Sequence, residues 1–197
     1  VSAQVTSVNI VGYSKSDNSG FQILGTQFDN GNPTPSGVFG DQLPVESILY
    51  GFEGGVYKPS TYTPGFFGAP DFWSDDTLNL DIGSAYWVSV PPGTHTSISS
   101  GDVPLADSIT NNVVTGYQLL CYPYPVARAV SELGFEPQID DIVWKFSGGS
   151  YQPSTYTAGF FGAPDFWSDD FTIEVGEGFW YSSEVDTTWI VNRPFTP

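Results

Sequence analysis

The sequence has very few of the residues on which most enzyme mechanisms depend. Its 197 residues include one histidine, one cysteine and no methionine. One Cys and one His are too few ligands for an ordinary zinc site, and no serine lies in a Gly-x-Ser-x-Gly motif. The glycine-rich motifs that bind phosphate groups are missing as well. We therefore expect a protein that is not an enzyme, with no catalytic residues and no cofactor.

Basic residues are scarce too. Five Lys and Arg residues stand against 22 Asp and Glu residues, which gives a formal net charge of −17 at pH 7. Such a chain repels nucleic acids and anionic membrane surfaces, and it has no apolar run of about 18 residues that would insert into a membrane. The expected partners are therefore cations, neutral polymers such as glycans, and other copies of the chain.

The processing and redox signals are sparse and point outside the cell. The chain begins at Val1 without a methionine, and Asn32 is followed by proline, so no glycosylation sequon is present. Cys121 has no partner for an internal disulfide, and its apolar neighbours predict a buried thiol. We expect an exported bacterial protein that is extracellular or on the cell surface.

The dominant feature is a long internal repeat. Residues 59–76 read PSTYTPGFFGAPDFWSDD and residues 153–170 read PSTYTAGFFGAPDFWSDD. A repeat of this length means that each copy is a structural unit. We divide the chain into a first copy, residues 1–104, and a second copy, residues 105–197, each close to the size of a small domain.

Both copies predict short strands joined by glycine turns. Apolar residues alternate along residues 48–52 and again along 142–146, which is the pattern of a strand with one buried face. Each run leads into a double glycine, at 54–55 and at 148–149, where we expect a tight hairpin. The predicted fold class is all-β, as two tandem β-sandwich or barrel-like repeats. A single core shared about a pseudo-twofold axis is the alternative.

One segment has a helical pattern instead. Apolar residues recur at helical spacing between Pro125 and Gly134, namely Val126, Ala129, Val130 and Leu133. This pattern predicts one short helix of two to three turns near residues 125–133. The matching region of the first copy contains Pro and Gly, so there we expect no helix or a single turn.

The repeated segment is a loop rich in aromatic and acidic residues, which must be buried or presented to a partner. Three interpretations are open: a compact loop with a small core of its own, an assembly surface with aromatic anchors, or a ligand site. In the ligand site Trp73 and Trp167 would stack on sugar rings, while the acids would bind hydroxyls or calcium. The interface or ligand candidates are Phe66, Phe67, Asp71, Phe72, Trp73, Asp75, Asp76, Phe160, Phe161, Asp165, Phe166, Trp167, Asp169 and Asp170.

The N-terminal stretch, residues 4–13, offers a second mode of contact. It could add a strand to a sheet of a neighbouring copy, or it could pair within its own unit. The strand-addition candidates are Val5, Val8, Ile10, Val11 and Tyr13.

Several short strings resemble a known group of proteins. NIVGY at 9–13, the strand WKF at 144–146 and VGEGFW at 175–180 are similar to the pattern N-x-V-G-Y, Y/W-K-F/W and G-E-G-F-F/W. That pattern belongs to a loose group of exported bacterial two-repeat β proteins without assigned function. The resemblance implies export and β architecture and supplies no site residues. The first copy departs from it with IGSAYW at 82–87, and the repeated segment lies outside it.

We expect a structural protein that assembles with itself into a filament, tube or surface layer, because no catalytic motif is present and equivalent faces recur in one chain. The alternative is a carbohydrate-binding or adhesive module that uses the duplicated aromatic and acidic loop. A glycosidase using two carboxylates from Asp71, Asp75 and Asp76 would need one asymmetric cleft. The recurrence of these acids in both copies argues against it.

Overall fold

The computed structural model describes residues 9–196, and nearly all of its regular structure is β. The strands of the first copy are β1 (Val11–Asn18), β2 (Phe21–Gly25), β3 (Ile48–Glu53), β4 (Val56–Thr63), β5 (Phe72–Trp73), β6 (Ala85–Ser89) and β7 (His95–Asp102). The strands of the second copy are β8 (Ser108–Val113), β9 (Gly116–Cys121), β10 (Arg128–Ala129), β11 (Ile142–Ser147), β12 (Ser150–Thr157), β13 (Phe166–Trp167), β14 (Thr172–Ile173), β15 (Gly178–Ser183) and β16 (Thr187–Asn192). Two short helical turns accompany them, α1 (Pro35–Val38) and the 3-10 turn η1 (Val130–Glu132). The predicted all-β class is confirmed.

The two copies build the same antiparallel sheet. Its strand order is β2-β6-β3-β4-β5 in the first copy and β9-β15-β11-β12-β13 in the second. Each copy adds a two-stranded ladder, β1 with β7 and β8 with β16. Equivalent strands thus occupy equivalent places, so the sequence repeat is also a structural repeat. Every ladder in the described residues lies within one copy, and the change of copy falls between Asp102 and Ser108.

The predicted glycine hairpins are present. Gly54 and Gly55 join β3 to β4 with φ of 59° and 81°, and Gly148 and Gly149 join β11 to β12 with φ of 58° and 81°. Two successive positive φ angles are the geometry of a type I′ turn, which glycine adopts without steric cost. These turns set the register of the β3–β4 and β11–β12 hairpins.

Each copy has a core of its own, and a third cluster joins them. In the first copy the sheet buries Leu49, Leu80 and Val88, whereas the second copy buries residues such as Phe179 and Trp189. The third cluster draws on both copies and consists of Ile23, Ala85, Trp87, Leu119, Cys121 and Trp180. Separate repeats and a shared core therefore coexist, and the predicted burial of the Cys121 thiol is confirmed.

The copies meet around a pseudo-twofold axis. The backbone N–H of Gly25 donates to the carbonyl of Gly176 at 3.0 Å, and the N–H of Cys121 donates to the carbonyl of Gly83 at 2.9 Å. These two bonds exchange when the copies are exchanged. Two isolated bridges follow the same symmetry, Leu24 with Glu177 and Ser84 with Leu120. Backbone pairing as well as side-chain packing therefore holds the copies together.

The predicted short helix is present, but it is shorter than expected. Only Val130–Glu132 form a 3-10 turn. Arg128 and Ala129 pair instead with Ile173 and Thr172 as a two-residue ladder, which removes the first turn of the expected helix. In the first copy α1 is a single turn, as anticipated, with Thr34 as its N-cap.

Candidate functional site

The repeated segment forms a loop that links β4 to β5 in the first copy and β12 to β13 in the second. The N–H of Ala69 donates to the carbonyl of Phe66 at 3.1 Å, and the second copy repeats this bond between Ala163 and Phe160 at 3.1 Å. A Cβ at Gly65 would lie 2.0 Å from the carbonyl oxygen of Ala69. The turn therefore requires glycine at this position, and Gly159 of the second copy has the same requirement, with a Cβ 1.9 Å from the carbonyl oxygen of Ala163.

Phenylalanine side chains occupy the outer end of each loop. Phe67 and Phe161 have left-handed backbones with φ of 54° and 53°, which costs an L-residue about 1–2 kcal/mol. Both rings are fully exposed, and Phe66 and Phe160 are 70% and 80% exposed. Backbone strain of this kind persists where the surrounding structure imposes it, often at functional sites. We call the pairs Phe66–Phe67 and Phe160–Phe161 the Phe tips.

The tryptophans of the segment face inward. Trp73 is 4% exposed, and its Nε1 donates to the carbonyl of Gly40 at 3.0 Å. Its ring packs against Tyr62 at 5.1 Å between centroids, inside the core of the first copy. Trp167 is half-buried beside Tyr156 at 5.3 Å. Of the three interpretations, the ligand site in which Trp73 stacks on a sugar ring is therefore wrong for this residue, because its ring is buried in protein.

The last aromatic pair of the segment lies between these extremes. Phe72 and Phe166 are exposed to about half of their surface, on the short strands β5 and β13. The segment thus divides its aromatic residues into an inward tryptophan that anchors the loop and outward phenylalanines that are about half or more exposed in the described part of the chain.

The first acid of each segment closes the loop. The Oδ1 of Asp71 accepts the N–H of Gly65 at 2.9 Å, and Asp165 accepts the N–H of Gly159 at 2.9 Å. The bond joins the two ends of the turn, since the partners lie six residues apart. This acid of each segment is therefore directed back onto the backbone of its own loop.

The last acid of each segment caps a helical turn. Asp76 accepts the N–H of Ser36 in α1 at 2.7 Å, and Asp170 accepts the N–H of Ser131 in η1 at 2.8 Å. A carboxylate at this end of a helical turn satisfies a backbone donor that has no partner in the turn. These acids therefore hold the loop to the rest of its own copy.

The middle acids also bind neighbouring groups. Asp75 accepts the hydroxyl of Thr77 at 2.6 Å and its N–H at 2.9 Å, and these bonds lower the pKa of the Asp75 carboxyl. Asp169 accepts the Nε2–H of Gln152 at 2.6 Å. Among residues 9–196 no group of three or more His, Cys, Asp or Glu side chains is arranged to hold a metal ion.

The strand-addition candidates lie partly in β1. Val11 and Tyr13 pair with Asp102 and Ser100 of β7 in their own copy, and both side chains are exposed. Ile10 precedes the strand, and its carbonyl accepts the N–H of Val103. Val5 and Val8 lie outside the described residues. Own-unit pairing is thus seen from residue 11 onward, and addition to a neighbour stays a prediction.

A larger aromatic surface lies between the copies, and the sequence analysis did not identify it. Ten rings line two adjoining pockets on the hairpins β3–β4 and β11–β12 and on their neighbouring strands. We call the set the aromatic cleft. Its members are Phe21, Tyr50, Phe52, Tyr57, Trp87, Tyr117, Trp144, Phe146, Tyr151 and Trp180. The two pockets have volumes of about 420 and 380 Å³, and Tyr57 lines both.

The aromatic cleft is built from contacts that obey the pseudo-twofold symmetry. Phe52 of the first copy packs on Trp180 of the second at 4.8 Å between centroids, and Phe146 packs on Trp87 at 4.7 Å. Both pairs are edge-to-face, an arrangement that adds about 0.5–1.5 kcal/mol beyond area burial. The hairpin of each copy therefore contacts a tryptophan of the other copy, and the two together form part of the wall of a pocket.

The polar groups of the aromatic cleft are few and uncharged. Tyr57 and Tyr151 are 49% and 48% exposed. Burial raises the pKa of the Tyr151 hydroxyl, although a hydrogen bond with Trp180 acts in the opposite direction. The Nε1 of Trp144 is buried with no hydrogen-bond partner in the described part of the chain, although buried indole N–H groups usually have one.

The signal for the cleft was present in the sequence but was assigned to the core. Tyr50 and Phe52 belong to the alternating run of β3, which predicted one buried face. Leu49, on the opposite face, is the residue buried in the core of the first copy, while Tyr50 and Phe52 are half-buried between the copies. Alternation shows that a strand has two faces, but it does not show what each face packs against.

The fold and these surfaces define a class, an all-β protein of two joined repeats with duplicated aromatic surfaces. In residues 9–196 no helix is both long enough and apolar enough to cross a bilayer. Comparison with protein-family models, with curated proteins and with solved structures gave no match. The resemblance to exported two-repeat β proteins therefore stays a prediction.

Proposed function

We propose that this chain is a non-catalytic, extracellular structural protein that assembles with itself. The observation that carries the proposal is the pair of Phe tips. Each tip presents two adjacent phenylalanines to solvent on a closed, strained turn, and the chain repeats the arrangement once. Contiguous exposed apolar residues of this kind mark interaction sites in soluble proteins.

The free energy of burying the Phe tips favours a contact between two molecules of this chain. Full burial of a phenylalanine side chain contributes about 1.5–3 kcal/mol, and each tip offers two such side chains in a preformed loop. Because the turn is already closed by its own hydrogen bonds, little conformational entropy is lost when a partner binds it. Four exposed phenylalanines in one chain can therefore supply the anchors of a stable contact.

The valency favours an extended product. Two equivalent tips in one chain allow contacts with more than one neighbour. A heterologous contact of this type closes into a ring or continues as a fibre. A filament, tube or surface layer is therefore the expected form of the assembly.

The test is removal of the Phe tips. The variant F66S/F67S/F160S/F161S should stay monomeric in sedimentation velocity and show no ordered polymers by negative-stain electron microscopy, under conditions where the unchanged chain polymerises. The matched control is Ile190→Ser, which replaces a half-exposed apolar residue outside the loops. An unchanged chain that stays monomeric from low salt to millimolar calcium would refute the proposal.

The carbohydrate-binding alternative has weaker support in the loop itself. Its proposed stacking residue Trp73 is buried, and the outward residues are phenylalanines, which have no hydrogen-bonding group. Sugar recognition would then depend on other aromatic residues, such as those of the aromatic cleft.

A further inference from the structure

We infer that the aromatic cleft of one molecule is the binding site for the Phe tips of a neighbouring molecule of the same chain. The inference rests on the proposed self-assembly and names the two surfaces that make the contact. Both surfaces are aromatic. Each chain has two Phe tips and one cleft with two pockets, and both sets follow the same pseudo-twofold symmetry.

The volumes of the pockets fit aromatic side chains. A cavity of about 150 Å³ is sufficient to bind a benzene ring. The pockets of the aromatic cleft hold about 420 and 380 Å³, so each has room for the two rings of a Phe tip. The walls offer ring edges and faces, which suit the edge-to-face and offset packing that aromatic pairs prefer.

The charge of the chain restricts where two molecules can make contact. Two molecules that each have a net charge of −17 repel each other, so a stable contact between them is favoured where their surfaces carry no charge. None of the residues that line the two pockets is charged. The two side chains of each tip are phenylalanines and carry no charge, and the Asp71 carboxylate of the same loop accepts a hydrogen bond from the N–H of Gly65.

The fold prevents a tip from filling the pocket beside its own hairpin. Tyr57 lies at the start of β4 and Thr63 at its end, where the loop begins. At about 3.3 Å per residue, roughly 20 Å of strand separates them. Each tip therefore lies at the opposite end of its strand from the cleft residue of the same hairpin. Because residues of both hairpins line the cleft, the pocket that a tip fills belongs to another molecule of this chain.

The experiment uses two complementary full-length variants. The tip variant F66S/F67S/F160S/F161S retains the cleft, and the cleft variant Y57S/Y151S retains both tips. Each variant alone should require at least about a tenfold higher concentration to assemble than the unchanged chain, since each has lost aromatic anchors. Mixed together, they should form complexes containing both chains in sedimentation velocity. Ile190→Ser should assemble like the unchanged chain.

Disulfide trapping tests the contact while replacing only one residue of a tip in one partner and one residue of the cleft in the other. A chain with Phe161→Cys is mixed with a chain carrying Tyr117→Cys, and both positions are well exposed. Oxidation should produce the mixed dimer on a non-reducing gel, and Ile190→Cys in place of Tyr117→Cys should not. The native Cys121 is buried and does not compete.

The outcomes separate the two proposals. If the unchanged chain never assembles, the proposed function fails. If it assembles and the cleft variant assembles equally well, or if Phe161→Cys cross-links only to itself, the tip-to-cleft contact is refuted while self-assembly stands. The monomeric tip variant is also titrated with hydroxyethylcellulose. A saturable change in tryptophan fluorescence that Y57S/Y151S abolishes would assign the cleft to glycans and overturn the inference.

Discussion

Gly25 and Cys121 are equivalent positions of the two copies, and they meet at the pseudo-twofold axis. Gly25 pairs with Ala85 in its sheet as Cys121 pairs with Gly178. A Cβ placed on Gly25 would lie 2.2 Å from both Cβ and Sγ of Cys121. The thiol therefore occupies the space that a side chain at residue 25 would need, so only one of the two positions can carry a side chain.

Gly25→Ala should destabilise the protein by about 1–3 kcal/mol, because the added methyl group overpacks the contact between the copies. Adding Cys121→Gly to the same chain should recover most of the loss, since it vacates the space. Urea denaturation followed by circular dichroism measures both changes. A double variant no more stable than Gly25→Ala alone would show that the steric account is wrong.

The Cys121 thiol should be unreactive in the folded protein. Burial raises the pKa of this thiol, so it stays protonated even at a pH near its ordinary pKa of about 8.5, and the thiolate is the nucleophile. A thiol-reactive chromophore such as DTNB should label the native chain far more slowly than the urea-unfolded chain. Complete labelling at equal rates in both states would contradict the burial.

Phe52→Ala and Phe146→Ala should destabilise the protein by similar amounts, about 2 kcal/mol each. Each removes the ring that packs on a tryptophan of the other copy at 4.8 or 4.7 Å, and loss of a half-buried ring costs less than the 3–5 kcal/mol typical of full burial. The control is Phe67→Ala, which should change the free energy of unfolding of the monomer by less than about 0.5 kcal/mol, because its ring is fully exposed. Very unequal effects of the first two variants would argue against the pseudo-twofold packing.

Gly65→Ala together with Gly159→Ala should open the Phe tips and weaken assembly. The new methyl groups would meet the carbonyl oxygens of Ala69 and Ala163 at 2.0 and 1.9 Å, so the closing hydrogen bonds must break. Faster amide exchange at Ala69 and Ala163 measures this opening. Phe67→Ala is the control, because it removes a fully exposed ring without adding an atom to the turn, and it should leave those amides protected.

Assembly should strengthen with salt. The chain carries a net charge of −17, and the contact surfaces proposed above carry none, so screening weakens the repulsion without weakening the attraction. The screening length falls from about 30 Å at 0.01 M to about 3 Å at 1 M salt. Light scattering across this range should rise at fixed protein concentration. A steady fall of the scattering with salt would indicate that charged groups hold the molecules together.

Strand-level features could be predicted from local sequence. The double glycines at 54–55 and 148–149 allowed only tight turns, and the runs on either side had the period of strands, so both hairpins were predicted at the right residues. The helix near 125–133 was predicted too long, because residues 128–129 gain more from pairing with β14 than from helical bonds. That pairing partner lies more than 40 residues away in the chain, and no local pattern reports it.

Placement of the aromatic residues could not be predicted in the same way. Phe67 and Trp73 belong to one segment with one composition, yet one ring is fully exposed and the other is buried. The difference arises because Gly40 and Tyr62 come together to receive Trp73, whereas the closed turn leaves Phe67 outside. Similarly, the cleft requires residues of β3 and β15 that meet only when the two copies pack together.

The sequence by itself determined the duplication, the β class, the turns and the acidic character, because each follows from residue type, spacing or charge along the chain. The tertiary structure decided which aromatic residues of each copy lie in the core, at the Phe tip or in the aromatic cleft. That choice depends on contacts between distant strands and across the pseudo-twofold axis, where a single atom such as Sγ of Cys121 determines what its counterpart Gly25 can be.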